Sequence, residues 1–369
     1  MSALYLGLIS GTSADGIDVA LASFARKPKL VASLTHPYPE DLRRRILALA
    51  QGDGHIALDE FGALDVEIAR AFAAAATKLL EREGVDAGKI RALGSHGQTV
   101  RHRPLGAAPY TMQIGDPNII AELTGITTVA DFRRRDIAAG GHGAPLAPAF
   151  HAAMLAKDKK TRVVLNLGGI ANITVLSGDE KKPLRGFDTG PASCLLDAWV
   201  ARHLDQAYDK DGAFAASGHI DETLLKRLLS EPYFAAPPPK STGREVFHLT
   251  WLAEHLRGLA IAPKNVQATL VALSALSIAD AIRAHARDAR EVWVCGGGVH
   301  NPVLMAAIAN ALAPIAVASV AELGIDPDFV EAMTFAWLAR ERLAGRAAPN
   351  VHTVTGSCGP RVLGGVYSA

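Results

Sequence analysis

Three glycine-rich polar turns and one aspartate carry the chemistry this sequence could perform. The first turn, Gly11, Thr12, Ser13, Ala14, Asp15 and Gly16, lies between apolar runs at 4–9 and 17–24 and continues into Ile17 and Asp18. Glycine lets backbone approach a ligand closely, and hydroxyls with free N–H groups are what a phosphate needs. The same theme returns about 155 residues later. An apolar run at 163–165 leads into Asn166-Leu-Gly-Gly-Ile-Ala-Asn172, with Gly168 and Gly169 at its centre, and a second run follows at 173–176. The third turn, Gly296, Gly297 and Gly298, follows an apolar run at 291–295 and precedes a helix from Pro302, an order that favours phosphate or ribose. Asp188, in Phe187-Asp-Thr-Gly-Pro191, stands just beyond the second hairpin. A rigid turn there would suit a carboxylate that activates a nucleophile, and an Asx-turn aspartate fits the local sequence too.

Other designs are excluded by pattern. G-x-x-x-x-G-K-[ST], a strand–GxGxxG–helix unit, H-E-x-x-H and G-x-S-x-G do not occur. Asp188-Thr-Gly190 also matches an aspartic protease, but such an enzyme needs two aspartates sharing a proton, and no second Asp-Thr-Gly or Asp-Ser-Gly is present. A nucleotide would therefore be held between two hairpins. Mg²⁺ would neutralise the phosphate charge, and Asp188 would act as the base.

The elements that must position these residues follow from periodicity. Helices are expected at 39–51, 57–84, 192–203, 262–287 and 327–343, the second carrying Phe61, Leu64, Ile68, Phe72 and Leu79 at helical spacing. A short strand at 90–93 is expected to end in the polar cluster Gly94-Ser-His-Gly-Gln-Thr99, which offers His96 and Gln98 where α/β folds place ligands. Gln113-Ile-Gly-Asp-Pro-Asn118 contains Asp116 and leads to a helix from Ile119 and a strand at 127–130. Asp131-Phe-Arg-Arg-Arg-Asp136 then enters Ala139-Gly-Gly-His-Gly-Ala-Pro-Leu146. An arginine beside such a loop suits an anionic or multiply hydroxylated ligand. Residues 209–218 read as a loop, and 235–244 as a stiff, proline-rich one.

At 369 residues, with 49% hydrophobic and 20% charged residues, the chain can form two compact domains. A net charge of +1, with both signs interleaved, gives no electrostatic case for a nucleic-acid or membrane partner. Cys194, Cys295 and Cys358 are far apart, without metal spacing, and predict free thiols in a reducing compartment, the cytoplasm. No metal-ligating cluster is expected. A homodimer is expected only because soluble enzymes commonly form them.

Taken together, these segments resemble the anhydro-N-acetylmuramic acid kinase family of the actin/hexokinase/Hsp70-like superfamily. The resemblance covers Ser10-Gly-Thr-Ser-Ala-Asp-Gly-Ile-Asp18, Ser95–Thr99, Gln113–Asp116, Asp131–Arg133 with Asp136, and Gly140–Leu146. Further on it covers Asn166–Asn172, Phe187–Pro191, Pro239-Lys-Ser-Thr-Gly-Arg244, Gly296–Gly298 and Glu331. It implies an α/β fold of two related, ribonuclease H-like domains around a central ATP/sugar cleft. Domains at about 1–135, joined by part of the C-terminal segment, and 136–369 are expected. It further implies that Gly11 to Asp18 bind ATP phosphates, that Asn166, Gly168 and Gly169 form the second phosphate loop, and that Gly296 to Gly298 lie near the nucleoside. Asp188 matches the family's catalytic base for water attack at C1 of the anhydrosugar. Glu331 and an arginine of the run, Arg133 or Arg135, match sugar contacts, with His96, Gln98 and Asp116 as further candidates. Mg²⁺ would arrive with ATP, held by phosphate oxygens and waters. His142 stands where the family usually has Gln, and Ala192-Ser193 where it usually has Gly-Asn. The competing reading is an actin-like nucleotide-binding ATPase module without sugar chemistry.

Overall fold

The structure is a computed structural model that describes residues 3–25, 27–52, 55–156, 160–179, 182–238 and 240–369. Pro239, quoted above within a motif, lies outside the described residues. Contacts divide the chain into two compact units, residues 1–154 with 329–369, and residues 155–328.

In the first unit, β1 (Leu4–Ser10), β2 (Ile17–Ser23) and β3 (Lys29–His36) form an antiparallel meander. β4 (Ile90–Arg103) runs parallel to β1, and β6 (Thr128–Ala130) parallel to β4. β5 (Tyr110–Ile114) folds back on the far end of β4, and β12 (Gly365–Tyr367) closes the edge beside β6. In the second unit, β7 (Arg162–Leu167), β8 (Ile170–Leu176) and β9 (Arg185–Pro191) form the same meander. β10 (Glu291–Cys295) is parallel to β7, and β11 (Ala316–Ser319) is parallel to β10. The first sheet thus carries the order β3-β2-β1-β4-β6 and the second β9-β8-β7-β10-β11, with the same directions at corresponding places. The duplication read from two hairpins extends to two ribonuclease H-like sheets, the actin/hexokinase-like fold class.

Each sheet has its own apolar core. In the first unit, Leu64, Ile68, Phe72 and Leu79 of the Leu58–Glu83 helix bury one face against Leu6, Leu8, Val19 and Leu93. Gly84, at φ 62°, ends that helix, because the left-handed cap costs glycine little. In the second unit, the Pro263–His285 helix packs Leu270, Leu273 and Ile278 against the β7–β9 side of the sheet. Among the described residues it is the one helix long and apolar enough to cross a membrane, and 72% of its most apolar stretch is buried in the protein. That burial identifies it as a core helix.

Three of the expected local structures are corrected. Residues 94–99 do not form a loop after a short strand. They continue β4, which runs for 14 residues because β1 and β5 satisfy its backbone beyond Leu93. Asp188 likewise lies within strand β9, opposite Asn172, rather than in a turn. The segment expected as a loop at 209–218 contains two short helical turns, organised by the buried Asp209. Its carboxylate accepts the N–H groups of Phe214 and Ala215 at 2.8 and 3.0 Å.

The C-terminal Val330–Leu343 helix returns to the first sheet through two strand glycines. A Cβ on Gly7 would stand 1.9 Å from the Ala332 carbonyl oxygen, and one on Gly94 2.1 Å from that of Phe335. Helix backbone therefore lies directly on β1 and β4. Gly94→Ala is expected to cost about 3 kcal/mol, at the upper end of overpacking penalties. Gly62→Ala, on the open side of the Leu58–Glu83 helix with nothing within 4 Å, should gain about 0.5–1 kcal/mol. Denaturant unfolding followed by circular dichroism measures both, and equal stability of Gly94→Ala and wild type would contradict this packing.

Candidate active site

The first hairpin turn is held from three sides. Ala14 N–H donates to Gly11 O at 3.1 Å, and Arg43 reaches over from the Glu40–Gln51 helix to Ala14 O at 3.1 Å and Asp15 Oδ1 at 2.8 Å. Gln98, fully buried on β4, donates Nε2–H to Gly11 O at 3.1 Å and accepts from the Tyr38 hydroxyl at 3.2 Å. Gly16 must be glycine because a Cβ there would meet Thr35 Cγ2 at 2.9 Å. Gly11 faces open space, with only Ser13 Oγ within 4 Å of its missing Cβ. Gly11, Thr12 and Asp15 are exposed, whereas Ala14 and Ile17 are core residues that leave only backbone to a ligand. Asp18 accepts the Thr35 hydroxyl at 2.6 Å.

Beside that turn, His96, Arg133 and Glu331 form one electrostatic group. Arg133 donates Nε–H to His96 Nε2 at 2.9 Å and Nη1–H to Gly143 O at 2.8 Å. His96 Nδ1 lies 2.9 Å from Gly97 O, so the imidazole is the Nδ1–H tautomer. Burial first, and then the Arg133 charge, hold its pKa well below the usual value. Burial brings Arg133 down to about 10, against the charges of Glu331 and Asp136. Glu331, in the first turn of the Val330–Leu343 helix, is reachable by solvent yet recessed among protein atoms. That crowding raises its pKa, opposed by Arg133 and assisted by Asp18.

The buried Asp136 organises the adjoining glycine loop. Its carboxylate accepts Gly143 N–H at 2.7 Å and the Thr355 hydroxyl at 2.8 Å, and Gly141 leaves room for it. His142 is fixed there through its N–H to Thr355 O at 2.8 Å. Two further candidates belong to the same unit. Asp116 caps the Pro117–Thr124 helix, accepting Asn118 N–H at 2.8 Å. Arg135 lies with Arg134, Arg342 and Asp131 around a separate surface cavity of about 480 Å³.

In the second unit the Asp188 carboxylate is fixed by a segment the sequence reading gave no role. Thr242 N–H donates to Asp188 Oδ2 at 3.0 Å, Asp188 N–H donates to Lys240 O at 3.3 Å, and the Tyr233 hydroxyl donates to Asp188 O at 2.8 Å. Lys240 Nζ ties the segment to the carbonyls of Tyr233 and Phe234 at 3.0 and 3.1 Å. Burial pushes the Asp188 pKa up to about 6. The Thr242 hydrogen bond opposes the shift and the Glu245 charge adds to it. Thr242 Oγ1 is buried among the described residues without a hydrogen-bond partner.

The second hairpin turn is gripped by the start of the Ser193–Leu204 helix. Ala192 and Cys194 donate N–H to Gly169 O at 3.0 and 3.1 Å, and Ser193 donates to Gly168 O at 3.1 Å. These are backbone bonds, so Ala192-Ser193 makes them without the asparagine expected there. Gly296 and Gly298 are glycines because the same turn leaves no room. Their Cβ atoms would stand 2.4 Å from Asn166 Oδ1 and 2.6 Å from Leu167 Cβ, while Gly297 faces open space.

A carboxylate of raised pKa beside a glycine turn in the second unit, and an open glycine turn with an arginine–histidine–glutamate group in the first, are residue types suited to phosphate and hydroxylated ligands. The chain matches the family model "Anhydro-N-acetylmuramic acid kinase" over residues 3–369. It is 56% identical over 372 residues to the anhydro-N-acetylmuramic acid kinase of Xanthomonas axonopodis pv. citri, covering 100% of this chain and 99% of that protein. It is 51% identical over 370 residues to that of Xylella fastidiosa (99% and 96% covered), and 48% identical over 363 residues to that of Coxiella burnetii (98% and 97%). With agreement across nearly its whole length, the chain belongs to the anhydro-N-acetylmuramic acid kinase family and is a kinase.

Proposed function

We propose that this kinase uses ATP and water to open the 1,6-anhydro bridge of 1,6-anhydro-N-acetylmuramic acid and to phosphorylate O6. The products are N-acetylmuramate 6-phosphate and ADP, and the setting is cytoplasmic peptidoglycan recycling by a homodimer. The observation that carries the reading is Asp188, a strand-held carboxylate raised to about 6, beside a turn suited to phosphate. A base of that pKa is ionised at neutral pH yet keeps useful affinity for a proton.

Asp188 takes a proton from water as its oxygen attacks C1. The C1–O6 bond breaks, and O6 attacks the γ-phosphorus as the bond to the ADP oxygen breaks. The second water proton stays on the new C1 hydroxyl, and Asp188 later returns its own to solvent. Gly11 to Asp18 and Asn166, Gly168 and Gly169 bind phosphate through backbone, with Gly297 open towards the nucleoside. Arg133, oriented by His96, and Glu331 contact the sugar. Gln98 acts through Gly11, since both ends of its amide are engaged by the protein. Mg²⁺ supplies neutralisation of phosphate charge when bound. Asp18, whose charge raises the pKa of Glu331, is the carboxylate that would hold it through water. A nucleotide-binding module without sugar chemistry is not retained, because the family and the relatives named above are kinases.

Asp188→Asn should lower ADP formation with the anhydrosugar by about 10³-fold or more, within the range for loss of an acid–base group, while calorimetry still detects ATP binding. Undiminished turnover would remove Asp188 from this role. In wild type, kcat/KM for the anhydrosugar should rise with pH through about 6 and then level, because the base must be ionised to act. A profile flat from pH 5 to 7 would contradict the assignment. Arg133→Lys should raise KM for the sugar more than for ATP, since an ammonium cannot reproduce the fork held by His96 Nε2 and Gly143 O. Steady-state kinetics with each substrate varied separates the two effects, and equal changes in both constants would count against a sugar contact.

A further inference from the structure

The segment that fixes Asp188 also carries a cation with no assigned task. Arg244 follows Thr242 by two residues, and its guanidinium lies against the second hairpin turn. Nη2 and Nε are 3.7 and 3.8 Å from the point where a Cβ on Gly169 would stand. Among the described residues it makes no ion pair and no hydrogen bond, unlike Arg162 of the same unit, which pairs with Glu291 at 2.8 Å. The side chain is exposed while its backbone is anchored on both sides. Thr242 is bonded to Asp188, and Gly243 O accepts Val246 and Phe247 N–H at 3.2 and 3.1 Å. The turn it faces is open, since a Cβ on Gly168 would meet nothing closer than 3.6 Å.

We propose that Arg244 is a catalytic residue of this kinase that contacts phosphate oxygens of ATP at the Gly168–Gly169 turn. The inference rests on the function proposed above and adds a residue to it. In phosphoryl transfer, charge spreads over the oxygens of the migrating group as the γ-phosphorus–ADP oxygen bond breaks and the bond to O6 forms. A planar guanidinium stabilises that charge through two parallel N–H donors. Close backbone is what lets it work there. Gly169 has no side chain to separate the guanidinium from a phosphate on the turn. The same short segment presents Thr242 N–H to the Asp188 carboxylate, so the stretch of chain that carries the group meeting the phosphate also holds the group that receives the water proton. The motif Lys240-Ser-Thr-Gly-Arg244 thereby acquires a physical reason for its spacing.

Arg244→Ala and Arg244→Lys, assayed with ATP, Mg²⁺ and 1,6-anhydro-N-acetylmuramic acid, test this. The alanine variant should lose about 100-fold or more in kcat, the scale for one preorganised donor to developing charge, with its melting temperature unchanged. Guanidinium chloride at millimolar concentration should restore part of that kcat without accelerating wild type, and the lysine variant should fall between. Retention of kcat and KM for ATP within about twofold overturns the proposal, as does a loss that added guanidinium does not relieve. Wild type that makes no sugar phosphate would instead refute the functional reading. Affinity for the β,γ-imido analogue of ATP then decides the inference alone, and equal affinity of wild type and Arg244→Ala overturns it.

Discussion

Removing a carboxylate from water favours its protonated form, and the proposed chemistry depends on how far that is allowed to go at Asp188. Burial is the largest influence on this group and pushes its pKa up. A single backbone N–H, from Thr242 at 3.0 Å, draws the balance back and leaves the acid at about 6. Strand β9 fixes its main chain, with the Lys240 carbonyl and the Tyr233 hydroxyl holding the flanking peptide groups. The side chain therefore sits on a rigid element, which suits the proposed role of a base that meets one water molecule. The irregular stretch around 240–245 tunes that acid in both directions, the Thr242 N–H lowering its pKa and the Glu245 charge raising it.

The first unit meets a different demand with related means. Its arginine must keep its charge while partly withdrawn from water, and a neutral imidazole and a carbonyl hold it in direction without cancelling it. Glu331 reaches this group because the Val330–Leu343 helix can lie on bare strand backbone at Gly7 and Gly94. Close packing of the last long helix on the first strand thus brings a residue from the end of the chain to one from its middle.

The apolar periodicity made most of the long helices legible, and the two hairpins revealed the duplication. The third strand of the first unit was not legible, because Lys29–His36 alternates exposed and half-buried residues with no turn signature of its own. Nor was the full length of β4, since Ser95, His96 and Gln98 look like loop residues until their partners are known. Asp188 stood out through its neighbours in sequence. What pins it could not be read, because Thr242 acts through its N–H, a group every residue but proline carries. Gln98 was singled out for its type, and its geometry turns it towards Gly11 and Tyr38. Arg135, in the same run as Arg133, lines a surface cavity that Arg133 does not. Arg133 precedes the short Arg134–Ala138 helix while Arg134 and Arg135 open it, so the three cannot all face one way.

One measurement bears most directly on the claim that water opens the bridge at C1 while O6 takes the phosphate. Turnover of 1,6-anhydro-N-acetylmuramic acid and ATP in ¹⁸O-labelled water, read by mass spectrometry, should place one label on the C1 hydroxyl of the sugar phosphate and none on its phosphate. Label on phosphate, or a sugar product without label, would contradict water attack at C1 and the role assigned to Asp188.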